Sequence, residues 1–180
     1  MERHTIEACQ RGERKAIEEV FHCYKSKMKS WCYRYSKNDF DTEEILQEAF
    51  IKLFAHIKGY EFAGSFEGWM RRIVVNTAIN YYKKNLKFSN HVDYSEVDYH
   101  MADAAEILER MSLEEIHKQI AGMPDGYRMV FVMYAIEGYS HKEIAAMLNI
   151  KENTSSSQYA KAKKYLTGML NKTGVSNGNN

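Results

Sequence analysis

Proline and glycine are scarce in this chain: its 180 residues include 1 proline and 10 glycines. Because both residues interrupt regular structure, their scarcity predicts long helices and disfavours a fold of many short strands. Hydrophobic residues make up 44% of the chain and charged residues 27%, as in ordinary globular proteins. A chain of this length forms one domain or two small ones, and either arrangement can bury a core.

Cysteines and long apolar runs are also few. Cys9, Cys23 and Cys32 are odd in number and lack the close pairing of a zinc or redox motif, so we expect them to be buried small apolar residues. The longest apolar run, from Met129 to Ile136, is too short to span a bilayer. With no apolar targeting run near Met1, the sequence predicts a protein of the reducing cytoplasm.

Charge is balanced in total, with a formal net charge of +1, but it is unevenly distributed. Residues 71–87 contain five basic residues and no acidic one, and residues 138–172 contain six lysines against two glutamates. Between them, residues 93–115 contain eight acidic residues and one arginine. Two basic segments separated by an acidic one predict two binding surfaces joined by a connector.

Three amphipathic helices are predicted in the N-terminal half. The first follows Gly12, the second begins at Asp41, which forms a capping box with Glu44, and the third begins at Ser65 after a loop at 59–64. Their inward residues are expected to be Ile17, Val20, Phe21, Tyr24, Met28, Trp31 and Tyr35 on the first, Leu46, Ala49, Phe50, Leu53 and Ile57 on the second, and Phe66, Trp69, Met70, Ile73 and Thr77 on the third. Three such helices pack as one bundle.

The pattern breaks between Asn85 and Met111, where only residues 104–110 look helical. Beyond this stretch, capping boxes are predicted at Ser112 with Glu115 and at Ser140 with Glu143. Pro124 marks a helix restart, with an inward stripe at Tyr127, Val130, Phe131 and Tyr134. The predicted fold is all-α, with an N-terminal helical bundle at 1–87, an acidic linker at 88–111, a C-terminal helical domain at 112–172 and a frayed tail at 173–180.

The C-terminal domain contains a predicted helix-turn-helix. Its first helix is expected at 140–148, a tight turn at 149–153, and its second helix from Thr154. On that second helix the packing face is Ser155, Tyr159, Ala162 and Leu166, and the outward residues are Ser156, Ser157, Ala160, Lys161, Lys163 and Lys164. Hydroxyls, lysines and a helix N-terminus suit phosphate oxygens, so DNA binding is predicted. A solvated helix face is the alternative that the spacing leaves open.

These motifs resemble a known family. The pattern G-Y-S-x-K-E-I-A-x-x-L from Gly138 resembles the helix-turn-helix of bacterial sigma factors, and it also occurs in response-regulator DNA-binding domains. In the N-terminal half, DTEEILQEAFIKLF from Asp41 and GSFEGWMRRIVVNTAINYYKK from Gly64 resemble the second conserved region of sigma factors. Over residues 10–86 and 110–170 the chain therefore resembles an extracytoplasmic-function (ECF) sigma factor, which binds core RNA polymerase and promoter DNA.

The resemblance implies three sets of site residues. Contact with the clamp coiled coil of core RNA polymerase is implied for Asp41, Glu43, Glu44, Gln47 and Glu48. Contact with the promoter −10 element is implied for Phe62, Gly64, Ser65, Arg71, Arg72, Asn76, Asn80, Lys83 and Lys84, and the loop at 61–66 is expected to capture a flipped base. Contact with the −35 element is implied for His141, Lys142, Thr154, Ser156, Ser157, Ala160, Lys161 and Lys163. An anti-sigma factor is a further expected partner.

The chain departs from the family pattern in two ways. Ser155 stands where an apolar residue is usual, and Lys161 and Lys163 stand where arginines are common. Lysine cannot make the two-pronged contact that arginine makes to guanine, so we expect a different base preference at −35.

Two other functions fit parts of the sequence. Glu19 with His22, and Glu114 with His117, have the E-x-x-H spacing of di-iron bundles, but Glu19 and His22 lie off the apolar stripe. We therefore expect no metal, no cofactor, no catalytic residue and no small-molecule substrate. A response-regulator-like transcription factor that acts without polymerase is the nearer alternative. It requires an N-terminal α/β domain with clustered aspartates, and no strand pattern of that kind is visible.

Overall fold

The structure, a computed structural model, describes residues 1–86 and 113–174. Within these two ranges the regular structure is helical and no residue lies in a β-strand, which confirms the predicted all-α fold. The α-helices are α1 (Arg3–Gln10), α2 (Arg14–Tyr33), α3 (Asp39–His56), α4 (Phe66–Leu86), α5 (Leu113–Gly122), α6 (Asp125–Phe131), α7 (His141–Leu148) and α8 (Glu152–Gly174). A 3-10 turn, Ile57–Gly59, follows α3, and a π-helical turn, Val132–Ile136, follows α6.

The chain divides into two compact units, Met1–Tyr82 and Lys83–Asn180. The finer boundaries expected at residues 87 and 111 stay predictions. The predicted linker at 88–111, its helical stretch at 104–110, the cap Ser112 and the tail from residue 175 lie outside the described residues.

The first unit is built around α2, which packs against both α1 and α3. The predicted stripes of α2 and α3 form its core, and Val20, Met28 and Leu53 have no exposed surface. Burying a side chain of this size stabilises the fold by about 1.5–3 kcal/mol. Ile17 and Phe21 are half-buried rather than buried, and the Phe21 ring packs against Phe50 at 4.7 Å between centroids.

Helix α1 was not expected from the sequence, which shows a break at Gly12 but no clear pattern before it. Its buried residues include Ile6 and Cys9, which are 3% and 2% exposed and lie three residues apart on one face. An ion pair between Arg3 Nε and Glu7 Oε1, 2.8 Å long, joins successive turns on its outer side. The Ile6–Cys9 spacing is the signal that identifies this short helix.

The predicted cap of α3 is wrong by three residues. Asn38, not Asp41, is the N-cap, and its Oδ1 accepts a hydrogen bond from the Asp41 backbone N–H at 2.8 Å. The Asp41 carboxylate instead accepts from the Tyr81 hydroxyl at 2.7 Å and from the Lys37 N–H at 3.3 Å. Asparagine and aspartate both suit an N-cap, and Asp41 is bound by a side chain 40 residues away.

The buried face of α4 also differs from the prediction. Phe66, Met70 and Thr77 are buried as expected, but Trp69 and Ile73 are only half-buried. The remaining buried residues of this helix are Val74, Val75, Ala78 and Ile79. The buried face of α4 is therefore broader than the single predicted stripe, and it extends to Val75 and Ala78.

In the second unit, the π-helical turn moves the buried face away from Tyr134, which is 38% exposed although it was predicted to face inward. Met129, Val132 and Met133 are buried there, and Tyr127 is half-buried. A π-helical turn contains about one more residue than an α-helical turn, so the residues that follow it are rotated about the helix axis. A stripe predicted at α-helical spacing therefore misses the buried face.

The helix-turn-helix forms as predicted around α7 and α8. The capping box of α7 is confirmed: the Ser140 side chain accepts from the Glu143 N–H, and Glu143 accepts from the Ser140 N–H at 2.8 Å. Hydrogen bonds from the Ser140 side chain and backbone lower the pKa of Glu143. Asn149 ends α7 in the left-handed conformation, with φ 58°. Helix α8 begins at Glu152, two residues before the predicted Thr154.

The cysteine prediction holds for two of the three residues. Cys9 and Cys32 are buried, and burial raises the pKa of the Cys32 thiol to about 12. Cys23 is exposed, because it lies next to the apolar stripe of α2 rather than on it. None of the helices described here combines the length and apolar composition that crossing a membrane requires.

Candidate nucleic-acid interface

The outer face of α4 carries the two amides expected to contact DNA. Asn76 and Asn80 are both exposed, whereas Val74 and Ala78, on the opposite side of the helix, are buried. Residues four apart lie on one side of a helix, so both amides point to the same region of solvent. Each amide can donate and accept a hydrogen bond at once, which is the chemistry needed to read a base edge.

Basic residues surround these amides at different depths. Arg72 and Lys84 are exposed, whereas Arg71 and Lys83 are half-buried. The Arg71 guanidinium carbon lies 5.8 Å from the centroid of the Trp31 ring, so this arginine also packs against α2. Lys83 and Lys84 lie in the last turn of α4. The exposed Arg72 and Lys84 are the better placed of the four to neutralise phosphates.

The loop before α4 has an unusual backbone at Phe62, whose φ is 58°. A left-handed conformation at a residue with a bulky side chain costs about 1–2 kcal/mol and needs support from its neighbours. The Tyr60 ring lies 4.9 Å from the Phe62 ring, and the Tyr60 hydroxyl donates to the Gly64 carbonyl. Phe62 is half-buried.

Gly64 and Ser65 close this loop. No other group lies within 4 Å of the position that a Cβ would take at Gly64, so the surface there is open. Ser65 is exposed and its Oγ accepts a hydrogen bond from the Gly68 N–H at 3.0 Å, which caps α4. The helix was predicted to begin at Ser65 and begins one residue later, at Phe66. The Ser65 hydroxyl still carries a proton that it can donate to DNA.

The outer face of α3 is acidic. Glu43, Glu44, Gln47 and Glu48 are exposed, but Asp41 is half-buried and bound to Tyr81. A hydrogen bond from Lys29 is the main cause that lowers the pKa of Glu43, so this carboxylate stays charged at neutral pH. Of the five residues expected to contact polymerase, Asp41 therefore has a structural role in the first unit.

Two exposed apolar residues on α3 were not identified from the sequence. Phe40 is 70% exposed and Ile51 is 59% exposed. With Glu44 and Gln47 between them, they follow steps of four, three and four residues and share one side of the helix. They place apolar surface at both ends of the row formed by Glu44 and Gln47. The sequence could have identified Phe40 and Ile51, because they are large apolar residues that lie outside the predicted buried stripe of this helix.

The second candidate surface is the outer face of α8. Thr154, Ser156 and Ser157 are exposed near its N-terminus. Ala160, Lys161 and Lys163 are half-buried further along, and the Lys163 ammonium lies 5.2 Å from the centroid of the Tyr159 ring. This distance is typical of a cation–π contact, which positions the charged end of Lys163 over the Tyr159 ring. Lys142, at the start of α7, is exposed.

His141 is positioned by the residue that departs from the family pattern. Ser155 has no exposed surface, and its Oγ lies 3.0 Å from Nδ1 of His141. The imidazole also stacks on Tyr134, with centroids 4.2 Å apart and planes 10° from parallel. A buried hydroxyl needs a hydrogen-bond partner, and His141 supplies it. The sequence marks Ser155 as unusual, but it does not identify His141 and Tyr134 as its neighbours.

We predict that Ser155→Ala destabilises α7 and α8 by about 1 kcal/mol, because it removes one partner of the buried Ser155–His141 hydrogen bond. Amide hydrogen exchange of α7 and α8 peptides in the full chain measures this change. Ser156→Ala is the matched control, since Ser156 is exposed, and we expect its effect to stay within about 0.5 kcal/mol. Equal exchange rates in the two variants would show that the hydrogen bond does not stabilise the motif.

Of the two pairs with di-iron spacing, the structure describes the side chains of Glu19 and His22. Glu19 and His22 are both exposed on α2. Among the residues that the structure describes, no group of three or more His, Cys, Asp or Glu side chains is arranged to hold a metal ion.

Two stretches of the chain match models of one protein family. Residues 20–87 match Sigma-70 region 2, and residues 113–166 match Sigma-70, region 4. The chain is 28% identical to the ECF RNA polymerase sigma factor SigW of Bacillus subtilis (strain 168), over 92% of this chain and 94% of that protein. It is 29% identical to the ECF RNA polymerase sigma factor SigE of Mycolicibacterium smegmatis over 78% of this chain, and spans 56% of that relative's length.

A solved structure shares the fold. The sigma factor RpoE from Bartonella quintana, crystallised with the anti-sigma factor NepR, matches with a TM-score of 0.52 and 18% sequence identity. The match covers 87% of this chain and 98% of that one. At this level of identity the likeness establishes the architecture.

Proposed function

Because the chain belongs to the ECF subfamily of sigma-70 sigma factors, we propose that it binds core RNA polymerase, directs it to a particular class of promoters and assists their melting. The observation that carries this proposal is the presence of regions 2 and 4 on one chain, in that order, each with exposed polar groups suited to DNA. A response-regulator-like factor is not favoured, because the N-terminal half matches region 2 and residues 1–86 contain no strand.

Each surface has a proposed role. The outer face of α3, defined by Glu43, Glu44, Gln47 and Glu48, binds the clamp coiled coil of core polymerase, where acidic and amide groups suit a basic helical partner. Asn76 and Asn80 of α4 contact the −10 element, and the loop at 61–66 holds a base flipped from the non-template strand. Extruding a base costs a few kcal/mol, so a loop that holds it converts binding energy into strand separation.

The second unit reads the −35 element in the major groove. Thr154, Ser156 and Ser157 donate hydrogen bonds from the N-terminal turn of α8, and Lys161 and Lys163 neutralise phosphates. His141 and Lys142 contact the DNA backbone from α7. Affinity for −35 then depends on phosphate contacts and weakens as salt is raised.

The protein acts without catalytic residues, cofactor or small-molecule substrate in this proposal, since promoter melting is a binding process. It works in the cytoplasm, where bacterial promoter DNA and RNA polymerase are found. An anti-sigma factor is its proposed regulator, by analogy with the Bartonella quintana relative that was crystallised with one. Such a partner inhibits by covering the surfaces of α3, α4 and α8.

We predict that Glu44→Lys lowers affinity for core RNA polymerase about tenfold or more, because it reverses a charge at the proposed contact. Titration of fluorescently labelled protein with core polymerase measures this affinity. Glu19→Lys, which makes the same charge change at an exposed residue of α2, is the matched control and should leave the affinity within about twofold. Equal losses in both variants, or none in either, would show that the outer face of α3 is not the polymerase contact.

A further inference from the structure

Helix α1 contacts the loop before α4 at the backbone. The Gln10 side-chain amide donates two hydrogen bonds, one to the Ile57 carbonyl at 3.0 Å and one to the Tyr60 carbonyl at 2.8 Å. Both bonds are partly buried and join residues 47 and 50 positions apart in the chain. Since Tyr60 is itself buried, these bonds fix the point at which the chain enters the loop at 61–66.

The same helix also contacts the loop through a side chain. The Arg3 guanidinium carbon lies 4.4 Å from the centroid of the Phe62 ring, a distance typical of a cation–π contact. Arg3 is simultaneously bound to Glu7 by a 2.8 Å ion pair, which limits the positions that its side chain can take. Arg3 thereby covers the Phe62 ring from outside the loop.

Phe62 needs such support because its backbone is in the left-handed region. A conformation of this kind persists only when neighbouring groups hold it in place. Here Arg3 and Tyr60 both contact its ring, and Gln10 holds the residues that precede it. The shape of the loop therefore depends on a helix that lies outside the region 2 match, which begins at residue 20.

We propose that α1 is a positioning element for base capture: Gln10 fixes the entry of the loop at 61–66, and Arg3 holds Phe62, so that the loop is shaped before DNA arrives. This inference rests on the proposed function, in which the loop receives a flipped base. Ordering a flexible residue costs conformational entropy, and a loop that is already ordered does not incur that cost on binding DNA. Arg3 and Gln10 thus act through Phe62 and the loop backbone.

Two substitutions test the inference in the full chain bound to core polymerase. Gln10→Glu keeps the size of the side chain but replaces both donor hydrogens with an oxygen that repels the two carbonyls. Arg3→Ala removes the contact with Phe62 at an exposed position, so it leaves the fold intact. We expect each variant to form open complexes about tenfold more slowly, measured by permanganate reactivity of the −10 thymines. Affinity for core polymerase and protection of −35 should stay within about twofold of the unsubstituted protein.

Arg14→Ala is the matched control. Arg14 forms the same kind of ion pair, from its Nε to Glu18 Oε1 at 2.9 Å, but on the exposed side of α2. We expect it to open promoters at the unsubstituted rate. Arg3→Lys keeps a cation near the Phe62 ring and should restore part of the lost rate.

A promoter with an abasic nucleotide separates positioning from a general effect on structure. The nucleotide to replace is the non-template −10 position whose abasic form slows opening by the unsubstituted protein. On that template we expect Arg3→Ala and Gln10→Glu to open DNA as fast as the unsubstituted protein, because no base remains to be captured. A defect of the same size on both templates would overturn the inference.

The outcomes also distinguish this inference from the proposed function. If Arg3→Ala opens the intact promoter as fast as the unsubstituted protein, the inference is wrong and the proposed function stands. If the unsubstituted protein itself opens no promoter, the proposed function is wrong. If Gln10→Glu loses helical circular dichroism, Arg3→Ala alone decides the question.

Discussion

The double substitution Asn76→Ala and Asn80→Ala is expected to lower open-complex formation about 100-fold while sparing polymerase binding. Both amides are exposed on one face of α4, so their removal leaves the core intact. A base contact of this type contributes about 1–3 kcal/mol, and the loss of two at about 1.4 kcal/mol each corresponds to 100-fold. Permanganate reactivity of the −10 thymines, with titration of core polymerase in parallel, measures the two quantities.

The control for this substitution is Lys15→Ala with Glu19→Ala. These residues are also exposed and four positions apart, but they lie on α2. The control should open promoters at the unsubstituted rate. Normal open-complex formation by the α4 double variant would refute the assignment of Asn76 and Asn80 to the −10 element.

The second large effect is expected at −35. Ser157→Glu with Lys161→Glu places carboxylates on the outer face of α8, where the proposal puts DNA phosphates. Phosphate contacts supply much of the affinity, and carboxylates repel phosphates. The holoenzyme concentration needed to protect −35 should therefore rise about 100-fold or more. A footprint titration of the reconstituted holoenzyme measures this loss.

Lys118→Glu with Gln119→Glu is the matched control, because it introduces the same change in charge on α5. The control should keep −35 protection within about threefold. Protection that is unchanged by the α8 substitutions would contradict the proposed role of this face, and equal losses in both variants would indicate a general effect of charge.

Local signals explain which parts of the fold were predictable. The capping box of Ser140 and Glu143 was predicted correctly, because its two residues lie three apart and satisfy each other. The cap of α3 was not, because Asn38 and Asp41 are both good candidates. The deciding interaction, from the Tyr81 hydroxyl to the Asp41 carboxylate, joins residues 40 positions apart. A pattern read along the chain carries no information about such a contact.

In the candidate site, too, features set by local spacing were predictable from the sequence, and features set by contacts between distant residues were not. Spacing along α4 correctly placed Asn76 and Asn80 on an exposed face, although the buried face opposite them proved broader than expected. The sequence marked Ser155 as unusual, but its pairing with His141 depends on the angle at which α7 and α8 cross. The contacts of Gln10 and Arg3 with the loop before α4 depend on the packing of α1, a helix that the sequence did not predict.

The most direct test of the proposed function is transcription in vitro from a genomic DNA library of the source bacterium. Purified protein is added to core RNA polymerase that lacks any sigma factor, and the start sites are mapped by sequencing RNA 5′ ends. The proposed function predicts initiation at discrete sites that share −10 and −35 elements, all dependent on the added protein. Failure to initiate at specific sites on any template would contradict it.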